Sequence, residues 1–313
     1  MQRVTWPGGP TGLERGACVT IGNFDGVHIG HQRLITRVRD RAAGLDLASV
    51  AVTFEPHPVR FFTGQKTPPF ITSYEQRAEL IADLGIEYLL CLEFNHSLAQ
   101  MPPEEFVRRI LVEHLHAREL IIGHDYAFGK GRQGNYELLR ALGETWGFGV
   151  ERMDPVTADG VVVSSTCIRK LIESGDVWAA RPLLGRFYCV PGTVIHGRGR
   201  GGRLLGFPTA NLQPAGELFP KTGVYCCWAE LHGRIHQAMA NVGYNPTFGN
   251  DDLSVEVHVL DLNEDLYGQH LTVHFVRRLR GERKFSGLEE LKEQIGRDVA
   301  QGRTILAAPE ARL

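Results

Sequence analysis

The 313-residue sequence lacks any apolar run approaching the roughly 20 residues that a helix needs to cross a bilayer. Its amino terminus lacks a basic segment leading into an apolar stretch, so neither a membrane span nor a signal peptide is expected. It also lacks an excess of either charge. Lys and Arg number 34 against 36 Asp and Glu, a formal net charge of −2, so nothing in the balance draws the chain onto nucleic acid or an anionic membrane. Cysteine is scarce: Cys18, Cys91, Cys167, Cys189, Cys226 and Cys227, with no C-x-x-C pair among them. Most sit inside apolar, strand-like runs, the pattern of reduced, buried thiols in a cytoplasmic protein. No internal repeat occurs, and the one low-complexity stretch is the Gly- and Arg-rich run at residues 197–203.

What is present is ordinary globular composition, 43% hydrophobic and 22% charged, in a chain long enough for two domains. Up to about residue 180, short apolar runs alternate with amphipathic helical patterns. Residues 17–21, 47–54, 88–94, 119–122 and 160–163 read as buried strands. Between them, residues 31–43 place Leu34, Ile35, Val38 and Ala42 on one helical face, with Gly44 as the stop, and residues 75–84, 103–116 and 136–146 repeat the pattern. This alternation predicts an α/β domain, residues 1–184, with a Rossmann-like parallel sheet covered by helices on both faces. Beyond residues 181–187 the runs are short, β-rich and separated by Gly, Pro and Asn, at 187–195, 223–231, 236–242, 253–262 and 270–279. One amphipathic helix begins at Leu288. Residues 185–313 therefore read as a small β-barrel with a terminal helix.

The sharpest local signal is G-N-F-D-G-V-H-I-G-H at residues 22–31, where a buried strand runs into a helix. Gly22, Gly26 and Gly30 permit close approach of backbone to a ligand, and the helix amino terminus favours phosphate. His28 and His31 stand there, three residues apart. Imidazoles so placed can donate to phosphate oxygens and stabilise charge as a bond to phosphorus breaks. Two surface histidines at a helix start is the bland alternative, and a zinc site is poorly supported without a further Cys or Glu at ligand spacing. A second strand-to-helix junction, S-S-T-C-I-R, offers Ser164, Ser165 and Thr166 as hydroxyl donors and Arg169 as a fixed charge, against the plain reading of a serine N-cap.

Together these blocks resemble the nucleotidyltransferase superfamily that includes the cytidylyltransferases. Within it, T-I-G-N-F-D-G-V-H-I-G-H-Q closely resembles the FAD synthetase domain of bacterial bifunctional riboflavin kinase/FAD synthetases. T-F-E-P-H-P at residues 53–58 and G-H-D-Y-A-F-G-K-G-R-Q-G at residues 123–134 resemble further blocks of that family. The resemblance implies that Gly22, Asn23, Phe24, Asp25, Gly26, Ser164, Ser165 and Thr166 bind ATP. It implies that His28, His31 and Arg169 stabilise the transition state of adenylyl transfer to FMN. Phe54, Phe62, Asp125 and Phe128 would bind the flavin, with core packing as the alternative for any one ring. Cys167 stands where that family often has arginine or another polar residue.

In the second domain, G-F-P-T-A-N at residues 206–211 sets the Thr209 hydroxyl and the Asn211 amide beside Pro208, both oxygen ligands suited to Mg²⁺ on a nucleotide. In S-V-E-V-H-V, residues 254–259, alternation puts the valines on one face and Glu256 with His258 on the other. These blocks, with N-V-G-Y-N-P-T-F at 241–248, resemble riboflavin kinase. That resemblance makes Glu256 the base that deprotonates the ribityl hydroxyl, Thr209 and Asn211 the metal ligands, and Arg280 part of the flavin side. The G-x-G-x-x-G at residues 197–202 leads into G-F-P-T rather than a helix. It is therefore read as a phosphate-covering loop, with Gly197 and Gly206 near ATP. The implied cofactor is Mg²⁺ with ATP; the implied ligands are riboflavin, FMN, FAD and ATP, with no nucleic acid or membrane, on a monomer or weak homo-oligomer. A nucleotidyltransferase with another acceptor has no need of the second set of motifs. A flavin sensor with inactive centres has no need of His28, His31, Arg169, Thr209, Asn211 and Glu256 together.

Overall fold

A computed structural model describes residues 1–8, 13–64, 67–158, 160–196, 207–244 and 253–313. They group into two compact units, Met1–Val163 and Ser164–Leu313.

In the first unit, β1 (Gln2–Trp6), β2 (Ala17–Ile21), β3 (Ala48–Glu55), β4 (Tyr88–Glu93), β5 (Ala117–Gly123) and β6 (Gly149–Met153) form one parallel sheet in the order β1-β4-β3-β2-β5-β6. The helices are α1 (Ile29–Leu45), α2 (Pro58–Thr63), α3 (Tyr74–Asp83), α4 (His96–Gln100), α5 (Pro103–Phe106, prolonged as a π-helix over Val107–His114) and α6 (Tyr136–Trp146). β2 is buried along its whole length because both its faces are covered. Ala17, Val19 and Ile21 pack with Phe106, Ile110, Leu111 and Leu139, whereas Cys18 packs with Leu34, Ile35 and Val38 of α1 and Ala78 and Ile81 of α3. The two helical layers expected from the alternation are thus both present.

Three local expectations change. α1 runs past Gly44 and stops at Asp46, which adopts φ 53°. Residues 160–163 do not enter the sheet: β8 (Val161–Val162) pairs only with β7 (Thr157–Ala158), and both valines are exposed. The sheet's outer positions are taken instead by β1 and β6, which sequence periodicity missed. Each lies at a sheet edge, is partly exposed, and carries no continuous apolar run.

The second unit opens with α7 (Ser165–Ser174) and α8 (Val177–Leu184), two helices that sequence reading assigned to the first domain. β9 (Tyr188–Ile195), β10 (Ala210–Pro214), β11 (Gly223–Leu231), β12 (Arg234–Tyr244), β13 (Leu253–Val259) and β14 (His270–Arg280) close into a barrel, order β10-β13-β12-β11-β14-β9, followed by α9 (Leu288–Ala307). Val255, Val257 and Val259 are buried on one face of β13, as alternation requires. α9 covers the outside of the barrel. It approaches so closely that a Cβ on Gly302 would meet Met239 Sδ at 2.6 Å. Met239 and Cys226 therefore face outward beneath it, with Leu306 in the same cluster.

Candidate active sites

Because all six strands of the first unit's large sheet are parallel, their carboxyl ends share one edge. The chain leaves β2 for β3 on one side, while β5 lies on the other. The β2/β5 boundary is the topological switch point, where open α/β sheets leave a crevice for ligands. Both glycine-rich blocks found in the sequence, residues 22–31 after β2 and 123–134 after β5, begin there.

The loop after β2 is held from within. Asp25 is buried, and its Oδ1 accepts from the N–H groups of Ile71 (2.9 Å) and Thr72 (3.2 Å). Gly26 N–H donates to Thr72 Oγ1 at 3.0 Å. Phe24 is buried with φ 52°. The space beside Gly22 holds the Phe24 ring, 2.8 Å from where a Cβ would stand, and the space beside Gly30 holds the His28 ring at 3.1 Å. Gly22 and Gly30 thus make room for the loop's own rings, and Gly26 supplies a φ of +79°. His28 caps α1, its Nδ1 accepting from His31 N–H at 3.3 Å. The two imidazoles stack, centroids 3.6 Å apart and 17° from parallel. Phe24 meets the edge of the His31 ring. Burial, then His28, then the Arg77 cation hold His31 well below the ordinary imidazole pKa. His31 is therefore neutral at pH 7, and its buried Nδ1 has no hydrogen-bond partner among the described residues.

Arg77 was not foreseen. It is 3% exposed on α3; Nη1 donates to Asn23 O at 3.0 Å and Nη2 to Glu55 Oε2 at 3.3 Å, tying the β2 loop to the end of β3. The one available signal was an arginine beside Ala78 on the apolar face of a helix, which periodicity treats as noise. Phe54 meets Phe94, at the end of β4, which also receives Phe61 and Phe62 of α2, with centroids 5.4–5.9 Å apart. Phe62 is 65% exposed, so this cluster presents an aromatic surface at the strand ends. Phe94 was missed because it reads as a strand terminus. Phe128 lies in the core between Phe106 and Tyr126. Asp125 projects to solvent beside His124.

In the second unit the site lies on the outside of the barrel, beneath α9. Strand register builds a row across it: Asn211 pairs with Glu256, Glu256 with Asn241, Asn241 with Val224, and Val224 with Arg280. Direct cross-strand partners stand about 5 Å apart on one face, so residues separated by tens of positions in sequence become neighbours. Thr209, Asn241, Glu256 and Arg280 line a cavity of about 440 Å³, floored by Val224 and Met239 and roofed by Leu291, Ile295 and Val299 of α9. Burial raises the Glu256 carboxyl above the ordinary range, the direction that suits a proton acceptor working near neutrality. His258 Nδ1 hydrogen-bonds Pro208 O at 2.7 Å and its ring meets Phe207 edge-on, pinning the segment that bears Thr209.

Two family models divide the chain: residues 11–167 match FAD synthetase and residues 184–306 match riboflavin kinase. The bifunctional riboflavin kinase/FMN adenylyltransferase of Pseudomonas fluorescens is 43% identical over 298 residues, covering 95% of both proteins. That of Escherichia coli K12 is 35% identical over 288 residues, 91% of both. This chain belongs to the bifunctional riboflavin kinase/FMN adenylyltransferase family. The family's two activities, formation of FMN and of FAD, are therefore those of this chain. The crystal structure of a macrolide-efflux protein from Streptococcus pneumoniae has the same architecture, with a TM-score of 0.87 at 30% identity over 97% of this chain and 99% of that one. Efflux is the name of that protein; among the described residues here, no helix is long and apolar enough to cross a membrane.

Within this riboflavin kinase/FMN adenylyltransferase chain, the described geometry brings together Asn23, Phe24, Asp25, Gly26, His28 and His31 in one segment, and Thr209, Glu256 and Arg280 around one cavity, with Asn211 the strand partner of Glu256. Ser164, Ser165, Thr166 and Arg169 form the first turns of α7 in the second unit, with Ser164 Oγ capping the helix by accepting from Cys167 N–H. Gly197, Gly206 and the surrounding glycine-rich loop lie outside the described residues, as does N-P-T-F. Asn241 and Asp298 of α9 also line the barrel cavity, without a sequence signal strong enough to single them out.

Proposed function

We propose that the barrel cavity is the kinase centre, with Glu256 as its base. The 5′-hydroxyl of riboflavin would give its proton to Glu256 as that oxygen attacks the γ-phosphorus of ATP; the bond to the β–γ bridging oxygen breaks, leaving FMN and ADP. The observation that supports this most is the half-buried Glu256, strand partner of Asn211, on the wall of a cavity with an apolar floor and roof. A carboxylate beside apolar surfaces suits a substrate that joins a hydroxyl-bearing chain to a ring system.

Mg²⁺ is the cofactor the reading requires. Thr209 and Asn211 supply neutral oxygen donors beside the Glu256 carboxylate, the hard-ligand set that Mg²⁺ accepts when phosphates fill most of its sphere. When bound, Mg²⁺ neutralises phosphate charge. The protein's own part is to orient the hydroxyl, accept its proton and exclude water.

The first unit is proposed as the adenylyl-transfer centre. There a phosphate oxygen of FMN attacks the α-phosphorus of ATP, and the bond to pyrophosphate breaks. His28 and His31, neighbours at the amino end of α1, would donate to the phosphates, with the N–H groups of that helix behind them. Arg169 and the hydroxyls of Ser164, Ser165 and Thr166 are proposed to act in the same reaction, and the aromatic cluster around Phe62 is proposed to receive the isoalloxazine ring. No covalent enzyme intermediate is needed, because positioning and charge stabilisation supply the acceleration. Purified protein given riboflavin and Mg-ATP should yield FMN and then FAD by chromatography. An intact fold giving no flavin product would overturn the assignment of both centres.

A further inference from the structure

The wall of the cavity contains an ion pair, between a buried Asp298 and a half-buried Arg280, that the reaction described above does not use. Asp298, on α9, is 4% exposed. Its Oδ2 accepts from Arg280 Nη2 at 2.8 Å and Nε at 3.0 Å, and its Oδ1 accepts from Gln294 Nε2 at 2.8 Å. Arg280 Nη1 donates to Gly281 O at 3.1 Å. Those contacts use the Nε–H and one N–H on each terminal nitrogen. A guanidinium has five N–H groups, so two remain unused among the described residues, and both Arg280 and Asp298 line the cavity.

Arg280 ends the cross-strand row and Glu256 stands three strands away from it, with Asn241 and Val224 between them. A substrate whose reacting hydroxyl meets Glu256 therefore presents its far end to Arg280. For riboflavin that end is the isoalloxazine ring, whose dione edge carries carbonyl oxygens able to accept from a guanidinium.

We propose that Asp298, braced by Gln294, is a positioning residue that locks the Arg280 guanidinium so that its remaining N–H groups recognise a carbonyl edge of the flavin ring. The terminal helix is then part of the substrate site as well as a cover for the barrel. An unbraced arginine has several rotamers and would lose the fixed fork geometry that distinguishes it from a lysine. The proposal rests on the kinase reading of this cavity, and the test separates the two.

In the full-length chain, Asp298→Asn should raise the KM for riboflavin by roughly tenfold or more, the size of a misplaced charge-assisted hydrogen bond. It should leave kcat within about threefold and the KM for Mg-ATP unchanged. Asp298→Glu should recover part of the riboflavin KM. Removing one partner of a buried pair can itself unfold a domain, whereas replacing both by apolar residues of similar volume is tolerated. Arg280→Met combined with Asp298→Leu therefore serves as the folded control and should show the same riboflavin KM defect. A riboflavin KM within twofold of the parent in the folded double variant overturns the proposal, as does a Mg-ATP KM rising in step with it. Glu256→Gln is assayed alongside. If it leaves the kinase active, the kinase reading of the cavity fails. If it abolishes the kinase while the Asp298 and Arg280 variants bind riboflavin normally, only the positioning role fails.

Discussion

Substituting Glu256 by Gln keeps shape and hydrogen-bonding capacity while removing the proton acceptor and its charge. General-base assistance contributes about 10²–10⁴-fold in rate, or about 3–5 kcal/mol of transition-state stabilisation at 1.36 kcal/mol per decade. FMN formation by the variant should fall by that factor. FAD formation from added FMN should stay at the parental rate, and provides an internal control for folding. The same residue makes an opposite prediction for stability. Burial raises the folded-state pKa of Glu256 above its unfolded value, so the native state binds that proton more tightly than the unfolded chain does. Stability contributed by this group is complete below the unfolded carboxyl pKa and is lost as pH rises through the folded one. Above that window the parent carries the cost of a buried charge that the variant does not. Glu256→Gln should therefore melt at or above the parental temperature at about pH 8 and converge with the parent on acidification. The parent's kcat/KM for riboflavin should rise with pH through a pKa above the usual carboxylate range, and the variant should lack that limb. A variant kinase rate within about threefold of the parent, or adenylylation falling in parallel, would refute the assignment of a separate base.

The remaining expectations concern both units. His28→Ala with His31→Ala should lower FAD formation by about 10² or more and leave FMN formation intact, as read by chromatography of each product. Because His31 is held below the ordinary imidazole pKa, the native state resists protonation there. Its stability should decline as pH drops below about 6.5, a slope that denaturant titration should find reduced in His31→Gln. Arg77→Met removes both ties between the β2 loop and the end of β3 and should lower FAD formation about tenfold or more, at 1.5–3 kcal/mol for a charge-assisted bond; unchanged FAD kinetics would make Arg77 a packing residue only. Thr209→Ala should raise the Mg-ATP KM of the kinase about tenfold and leave that of adenylylation alone; equal effects on both reactions would remove Thr209 from the kinase site.

Buried groups with an unusual neighbour explain most of what periodicity overlooked. Arg77 lies on an apolar helix face, and only its contacts with Asn23 and Glu55 show it serving the loop above. Phe128, one of several equivalent aromatics in the sequence, turns into the core beside Phe106, whereas Phe62 turns to solvent. Local sequence cannot distinguish those outcomes, because each depends on which distant side chain fills the adjacent space.

The sequence by itself determined the inner strands of the parallel sheet, the two layers of helices, the change from α/β to barrel, and the blocks that carry His28, His31, Thr209 and Glu256. Those features are written in local periodicity and in short motifs. Only the tertiary structure decided that β2 and β5 lie side by side, that Glu256 stands between Asn211 and Asn241, and that Asp298 of the last helix grips Arg280. Each is a pairing of segments far apart in the chain, fixed by strand register and barrel closure, which satisfy backbone hydrogen bonds and bury the valine face at once.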